Sequence, residues 1–122
     1  MTRNSVLNFY IEKAKSARRA GRVDLCWQHL QFAHIASQPL AWQHLKVHFL
    51  MLSLAIQNSN KREFFGQIAR SILAVPGSLS GRYPRGNPGT SDVSMFEVFE
   101  VPQELRGLME DTNARGLVQD QR

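Results

Sequence analysis

HIASQPLAWQHLKVH, residues 34–48, decides how this chain folds. Ser37-Gln38-Pro39 breaks the chain between two apolar segments. Proline cannot continue a helix interior, but it is accepted in the first turn of the next helix. The stretch therefore reads as the bend and first turns of a helical hairpin. It carries three histidines, His34 before the bend and His44 and His48 after it.

Upstream, Val6, Phe9, Tyr10, Ala14 and Ala17 form one stripe of an amphipathic helix over about Val6–Ala20, which Gly21 stops. A second helix over about Val23–Ala36 turns Leu25, Cys26, Leu30 and Ala33 inward, with Trp27 beside them, and Asp24 favours its positive end. Downstream, a third helix from Leu40 to about Gln57 carries Trp42, Leu45, Phe49, Leu50, Leu52, Leu54 and Ile56. This density predicts a central position in the bundle. Asn58-Ser59-Asn60 is a turn, and Asn60 followed by Glu63 resembles a capping box opening a fourth helix. That helix is expected to bury Phe64, Phe65, Ile68, Ala69, Ile72 and Leu73 and to end at Val75-Pro76-Gly77-Ser78.

Connections this short make sequential helices antiparallel neighbours. The fold class is all-α: four antiparallel helices as two stacked helical hairpins over 1–76, followed by an irregular Gly/Pro-rich segment. Over 77–110, GSLSGRYPRGNPGTSD reads as loop. Val93, Met95, Phe96, Val98, Phe99 and Val101 read as an apolar strip lying over the bundle, and a short helix runs from about Pro102 to Met109. Residues 111–122 are expected to be a flexible tail. The two hairpins share a layout at an offset of 38 residues, Ala14 with Leu52, Ala17 with Ala55 and Gly21 with Ser59. This resembles the tetratricopeptide pattern, with a longer period and only two units.

A chain of 122 residues with net charge +5 is the size of one domain. The apolar segment Leu40–Ile56 is interrupted by Gln43, His44, Lys46 and His48, so no membrane span is expected. The N-terminus lacks a signal-peptide pattern, which points to the cytoplasm. Residues 1–22 hold six basic side chains and only Glu12 against them; the rest of the chain is balanced. The basic first helix is read as a solvated face, with a nucleic-acid or acidic-protein footprint as the alternative. Cys26, the single cysteine, excludes an intrachain disulfide or a multi-thiolate metal site and reads as a small buried residue.

His44 and His48 lie four apart on one helix face, and His34 approaches them across the bend. Three imidazoles with open positions beside them suit a divalent transition metal, with His29 as a reserve ligand. The hairpin register puts Gln67 and Arg70 at the level of His48, and a set of His, Gln and Arg would instead suit an anion. The other possibility is an interaction module in which the histidines are structural. GRYPRGNPG lacks the Gly-Lys-Ser/Thr ending of a P-loop, and no nucleophile-base series or carboxylate pair supports hydrolase chemistry.

Ala33-His34 with Gln38, His44 and His48 with Met51-Leu52, Glu63 with Gly66-Gln67 and Arg70, and Gly81, Pro84, Gly86, Asn87 and Gly89 together resemble a small bacterial family, domain of unknown function 3703. The resemblance covers about residues 10–105. Pro88 stands where that family usually has threonine, and Phe99-Glu100-Val101-Pro102 replaces its Pro-Met-x-Pro segment. The resemblance implies that these polar residues form one site, which adds Gln38 and Asn87 to Gln67 and Arg70 as candidate ligand contacts. It implies no activity, so substrate, enzyme class and partner stay open.

Overall fold

The structure, a computed structural model, describes residues 2–109. Its elements are α1 (Arg3–Arg19), α2 (Val23–Ser37), α3 (Ala41–Gln57) and α4 (Lys61–Ser80), followed by irregular chain and a short helix, α5, over 103–109. The described residues contain no strand. The main packing pairs are α1 with α2 and α3 with α4, and α2 with α3 joins the two hairpins. Among the described residues, no helix is long and apolar enough to cross a membrane.

Local chemistry sets the helix ends. The Thr2 hydroxyl accepts from the Ser5 amide at 3.1 Å, and the Asn60 side chain accepts from the Glu63 amide at 3.1 Å, each satisfying an amide that the first helical turn leaves open. The two interhelical turns repeat one another. Arg22 N donates to Ala17 O and Asn60 N to Ala55 O, both at 2.9 Å. Gly21 and Ser59 occupy the same place in these turns, at φ 73° and 54°. Glycine adopts that left-handed conformation freely, whereas serine is strained there.

The core lies chiefly within the first hairpin and its contact with α3. Val6, Leu7, Tyr10, Ile11, Ala14 and Ala17 of α1 meet Cys26, Leu30, Ala33, Ile35 and Ala36 of α2, with Val47, Met51 and Leu54 of α3. Val101, Leu105 and Met109 close this core from the C-terminal side. Tyr10 sits at the junction, its ring edge-on to Phe32 and its hydroxyl donating to Glu104 at 3.4 Å. The α1 stripe is thus wider than its periodicity suggests, and Phe9 sits at its exposed margin.

Four expectations are overturned. Helix α3 is not central, because Trp42, Phe49 and Ile56 face outward. Phe65, Ile68, Ile72 and Leu73 of α4 also face outward, while Glu63, Gln67, Arg70, Ala74 and Ser78 face in. The apolar strip does not lie flat on the bundle: it winds through turns with Phe96 and Val98 exposed, and only Val101 is buried. The fourth helix also outruns its expected stop, passing through Pro76 to a left-handed cap at Gly81, whose amide points back to Gly77 and Ser78 carbonyls. Continuation through Pro76 brings Ser78 inward, where it makes two buried hydrogen bonds. The tail expected to be flexible, residues 111–122, lies outside the described residues.

The paired turns generate a test. Gly21→Ala is expected to destabilise by about 1 kcal/mol, and Ser59→Gly to stabilise by up to about 1 kcal/mol, since each substitution adds or removes a Cβ at a left-handed position. Urea denaturation of the two variants checks both signs.

Candidate functional site: a three-histidine cluster

The bend at residues 37–40 brings the last turn of α2 against the first turns of α3, so His34 meets His44 and His48. All three are buried. Their Nε2 atoms form a triangle with sides of 2.9 Å (His34–His44), 3.0 Å (His34–His48) and 3.1 Å (His44–His48). His29 is not among them; it lies beside Tyr10, ring centroids 6.2 Å apart.

The opposite nitrogen of each ring is anchored, and the anchors settle the tautomers. His34 Nδ1 lies 2.7 Å from the Asn87 carbonyl oxygen, which can only accept. His48 Nδ1 lies 2.7 Å from Gln67 Oε1, and the Gln67 amide is oriented by its Nε2 donating to Glu63 Oε2 at 3.1 Å and to Gly89 O at 2.8 Å. His44 Nδ1 lies 2.8 Å from Ser78 Oγ, whose own proton goes to the Gln38 carbonyl at 2.5 Å. Each Nδ1 therefore carries the proton and donates. In a neutral imidazole the other nitrogen is then an acceptor. Three Nε2 lone pairs face a common point, and none has a proton to offer the others.

The electrostatics keep the rings neutral. Burial holds His34 well below the usual histidine range, with the neighbouring histidines adding to the effect. It lowers His44 to about 4, opposed by the nearby Ala74 backbone carbonyl, and it lowers His48 to about 3, with His44 contributing and the Gln67 contact opposing. Neutral imidazole is the ligand form of histidine. Three nitrogens about 3 Å apart could all reach one ion at bonds of roughly 2.0–2.1 Å.

The loop after α4 builds the other wall. Gln38 Nε2 donates to the Pro84 carbonyl at 2.7 Å and Gln38 Oε1 accepts from the Gly86 amide at 3.0 Å, pinning the loop to the bend. Asn87 Nδ2 donates to the Ser94 and Glu97 carbonyls at 2.9 and 2.8 Å, while Asn87 Oδ1 accepts from the Gly89 amide at 2.9 Å. Gly89, at φ 85°, lies flat on His34; a Cβ there would stand 2.5–2.7 Å from imidazole atoms. No other residue fits against that ring. Gly66 of α4 plays a similar part against Ser91, where a Cβ would collide with the serine side chain. Glu63 Oε1 accepts from the Ser91 amide at 2.7 Å, so this carboxylate ties α4 to the loop as well as to Gln67.

A cavity of about 260 Å³ opens onto the three histidines. Leu73, Ala74, Met95 and Phe96 form much of its apolar wall, with Arg70, Tyr83 and Asn87 also lining it. Arg70 donates to Val93 O at 2.9 Å and to Gly66 O at 3.2 Å, and its Nε has no hydrogen-bond partner among the described residues. Burial lowers the Arg70 pKa, with Glu63 and Asp92 opposing the shift.

Of the residues singled out in the sequence, His34, His44 and His48 converge directly. Gln67 and the Asn87 backbone carbonyl support them, Gln38 holds the loop, and Arg70 borders the cavity. Ser78, expected in the loop, and Glu63, expected only as a cap, also belong to the site: Ser78 anchors His44 and Glu63 orients Gln67. The spacing of Gln67, Arg70, Ala74 and Ser78 along one helical face carried the signal, provided α4 was allowed to run through Pro76.

The buried histidines give the metal-free protein a pH signature. Their folded pKa values lie below the unfolded value of about 6.5, so the unfolded chain takes up protons first as pH falls. Stability is unaffected by this linkage above pH ~6.5 and is lost progressively below it. Between pH 7 and pH 5 the loss is expected to be about 2 kcal/mol for each of His44 and His48. Denaturant titrations with a chelator present, compared with a His44→Gln, His48→Gln variant of flatter pH dependence, measure it.

No curated protein and no solved structure matches the sequence. A family model does match, over residues 2–109. The chain belongs to the family described as "Protein of unknown function (DUF3703)".

Proposed function

We propose that this protein binds one divalent transition-metal ion through Nε2 of His34, His44 and His48, leaving coordination positions open toward the cavity for an exogenous small ligand. The observation that carries this reading is the convergence of three deprotonated ring nitrogens at 2.9–3.1 Å with every Nδ1 committed as a donor. Lone pairs brought this close repel unless a cation lies between them. Had the histidines been structural only, hydrogen bonds from ring to ring would be expected, and the tautomers leave no proton for them.

The supporting partners match what metal-bound histidines usually have: a carbonyl, amide oxygen or hydroxyl on the far nitrogen that fixes the ring and raises its basicity. Three neutral nitrogen ligands favour zinc and its neighbours among the first-row metals over magnesium or calcium, which prefer oxygen. An ion with three protein ligands and open positions supplies Lewis acidity or an acidic bound water. The chain's own part is to hold the imidazoles neutral, to keep the site apart from bulk water, and to present an apolar wall with Arg70 at its edge. This arrangement suits a small, partly apolar ligand with an anionic or metal-seeking group.

Elemental analysis of protein purified without a histidine tag is expected to find one equivalent of metal per chain. His34→Ala, His44→Ala or His48→Ala should each weaken metal binding by at least about 100-fold. Gln67→Ala and Ser78→Ala should cost about 10- to 100-fold, the usual effect of removing a supporting partner. Absence of stoichiometric metal, with competition titrations unchanged by the histidine substitutions, would contradict the proposal.

A further inference from the structure

The outward face of the second hairpin is apolar over its whole length. On α3, Trp42, Leu45, Phe49, Leu52 and Ile56 recur at alternating spacings of three and four, and on α4 so do Phe65, Ile68, Ile72, Val75 and Leu79. Such spacing lays side chains along one stripe of a helix, as in helices that pack side by side at small crossing angles. Much of this face is open to solvent: Trp42 is 71% exposed, Phe49 53%, Ile56 58%, Phe65 67%, Ile72 71% and Leu79 74%.

Charge is sparse along these stripes: Lys46 is exposed one turn from Trp42 and Phe49, and Arg18 of α1 stands at the edge beside Phe49, Leu52 and Ile56, donating to Ser53 and Gln57. Between Arg62 and Arg82 the only ionised side chains of α4 are Glu63 and Arg70, both turned inward, and α3 carries Lys46 alone. A solvated helix face would not normally run about four turns with so little charge. At the exposures above, the six large side chains leave about 800 Å² of accessible surface, taking roughly 200 Å² for each. Contiguous apolar patches on monomers rarely exceed a few hundred Å². About 800 Å² per partner is the size of a standard stable interface.

From this face we infer that the protein is a homodimer joined through α3 and α4, with each hairpin packing on its copy about a two-fold axis to make a four-helix contact. The occupant is a second copy because the surface complements itself. The two stripes span equal lengths, residues 42–56 and 65–79, run antiparallel, and carry no charge pattern that would call for an oppositely charged partner. Positions 110–122 carry only Ala114, Leu117 and Val118 as apolar side chains. Pairing of this kind is isologous and closes on itself.

Sedimentation velocity and light scattering of the full chain, over a dilution series and with a chelator present, test this independently of metal binding. The expected mass is twice 13.9 kDa at micromolar concentration. Phe49→Lys together with Ile72→Lys should weaken association by roughly 100-fold or more, with an unchanged helical circular-dichroism spectrum. If that variant misfolds, Trp42→Gln with Phe65→Gln, milder changes at exposed positions, replaces it and should also yield monomer. A wild-type monomer throughout the series, or a dimer that neither folded variant weakens, overturns the inference.

Discussion

The structure depends on three hydrogen bonds from histidine Nδ1 atoms to fixed acceptors. Each bond orients one imidazole and leaves its Nε2 as a lone pair aimed at the other two. The acceptors come from different parts of the chain: an amide oxygen and a hydroxyl on α4, and a backbone carbonyl in the glycine-rich loop. The cluster can therefore form only when the bend, the second hairpin and the loop are all in place. That requirement accounts for features with no independent reason to exist, including a glycine pressed on the His34 ring, a buried glutamine clamping the loop, and a helix that continues through proline to deliver Ser78.

The same constraint inverts α4. A helix with phenylalanines and isoleucines on one side and glutamine, arginine and serine on the other would ordinarily bury the first set. Here the polar side is inward because the histidines and the loop need its hydrogen-bonding groups, and burial without them would leave polar atoms unsatisfied. The apolar side is left facing solvent. The buried polar seam and the open apolar face are thus two consequences of one rotation of α4, which connects the chemistry at the cluster to the association proposed for the outer surface.

Much of this was legible in the sequence. Pro39 and Gly21 mark the helix breaks, the 38-residue offset foretells two similar hairpins, and the spacing of His44 and His48 places them on one face with His34 opposite. The burial of Val6, Tyr10, Ala14, Leu30 and Ala33 follows from periodicity alone. The orientation of α4 was not legible, since periodicity gives the stripe but not which side faces in, and hydrophobicity favours the wrong side. The exposure of Trp42 and Phe49 was hidden for the same reason. Backbone contacts leave still less trace: the Asn87 carbonyl serves His34 through main-chain atoms any residue would have, and Asn87 itself matters through an amide that folds the loop.

Everything proposed for the cluster rests on three Nε2 atoms binding one metal ion. X-ray absorption spectroscopy of the metal-loaded, untagged protein tests it most directly, because it counts and identifies the ligand atoms. Three imidazole nitrogens are expected at roughly 2.0–2.1 Å, with the remaining coordination from light oxygen or nitrogen atoms supplied from outside the protein. A sulfur ligand, fewer than three imidazoles, or a spectrum unchanged by His44→Ala would contradict it.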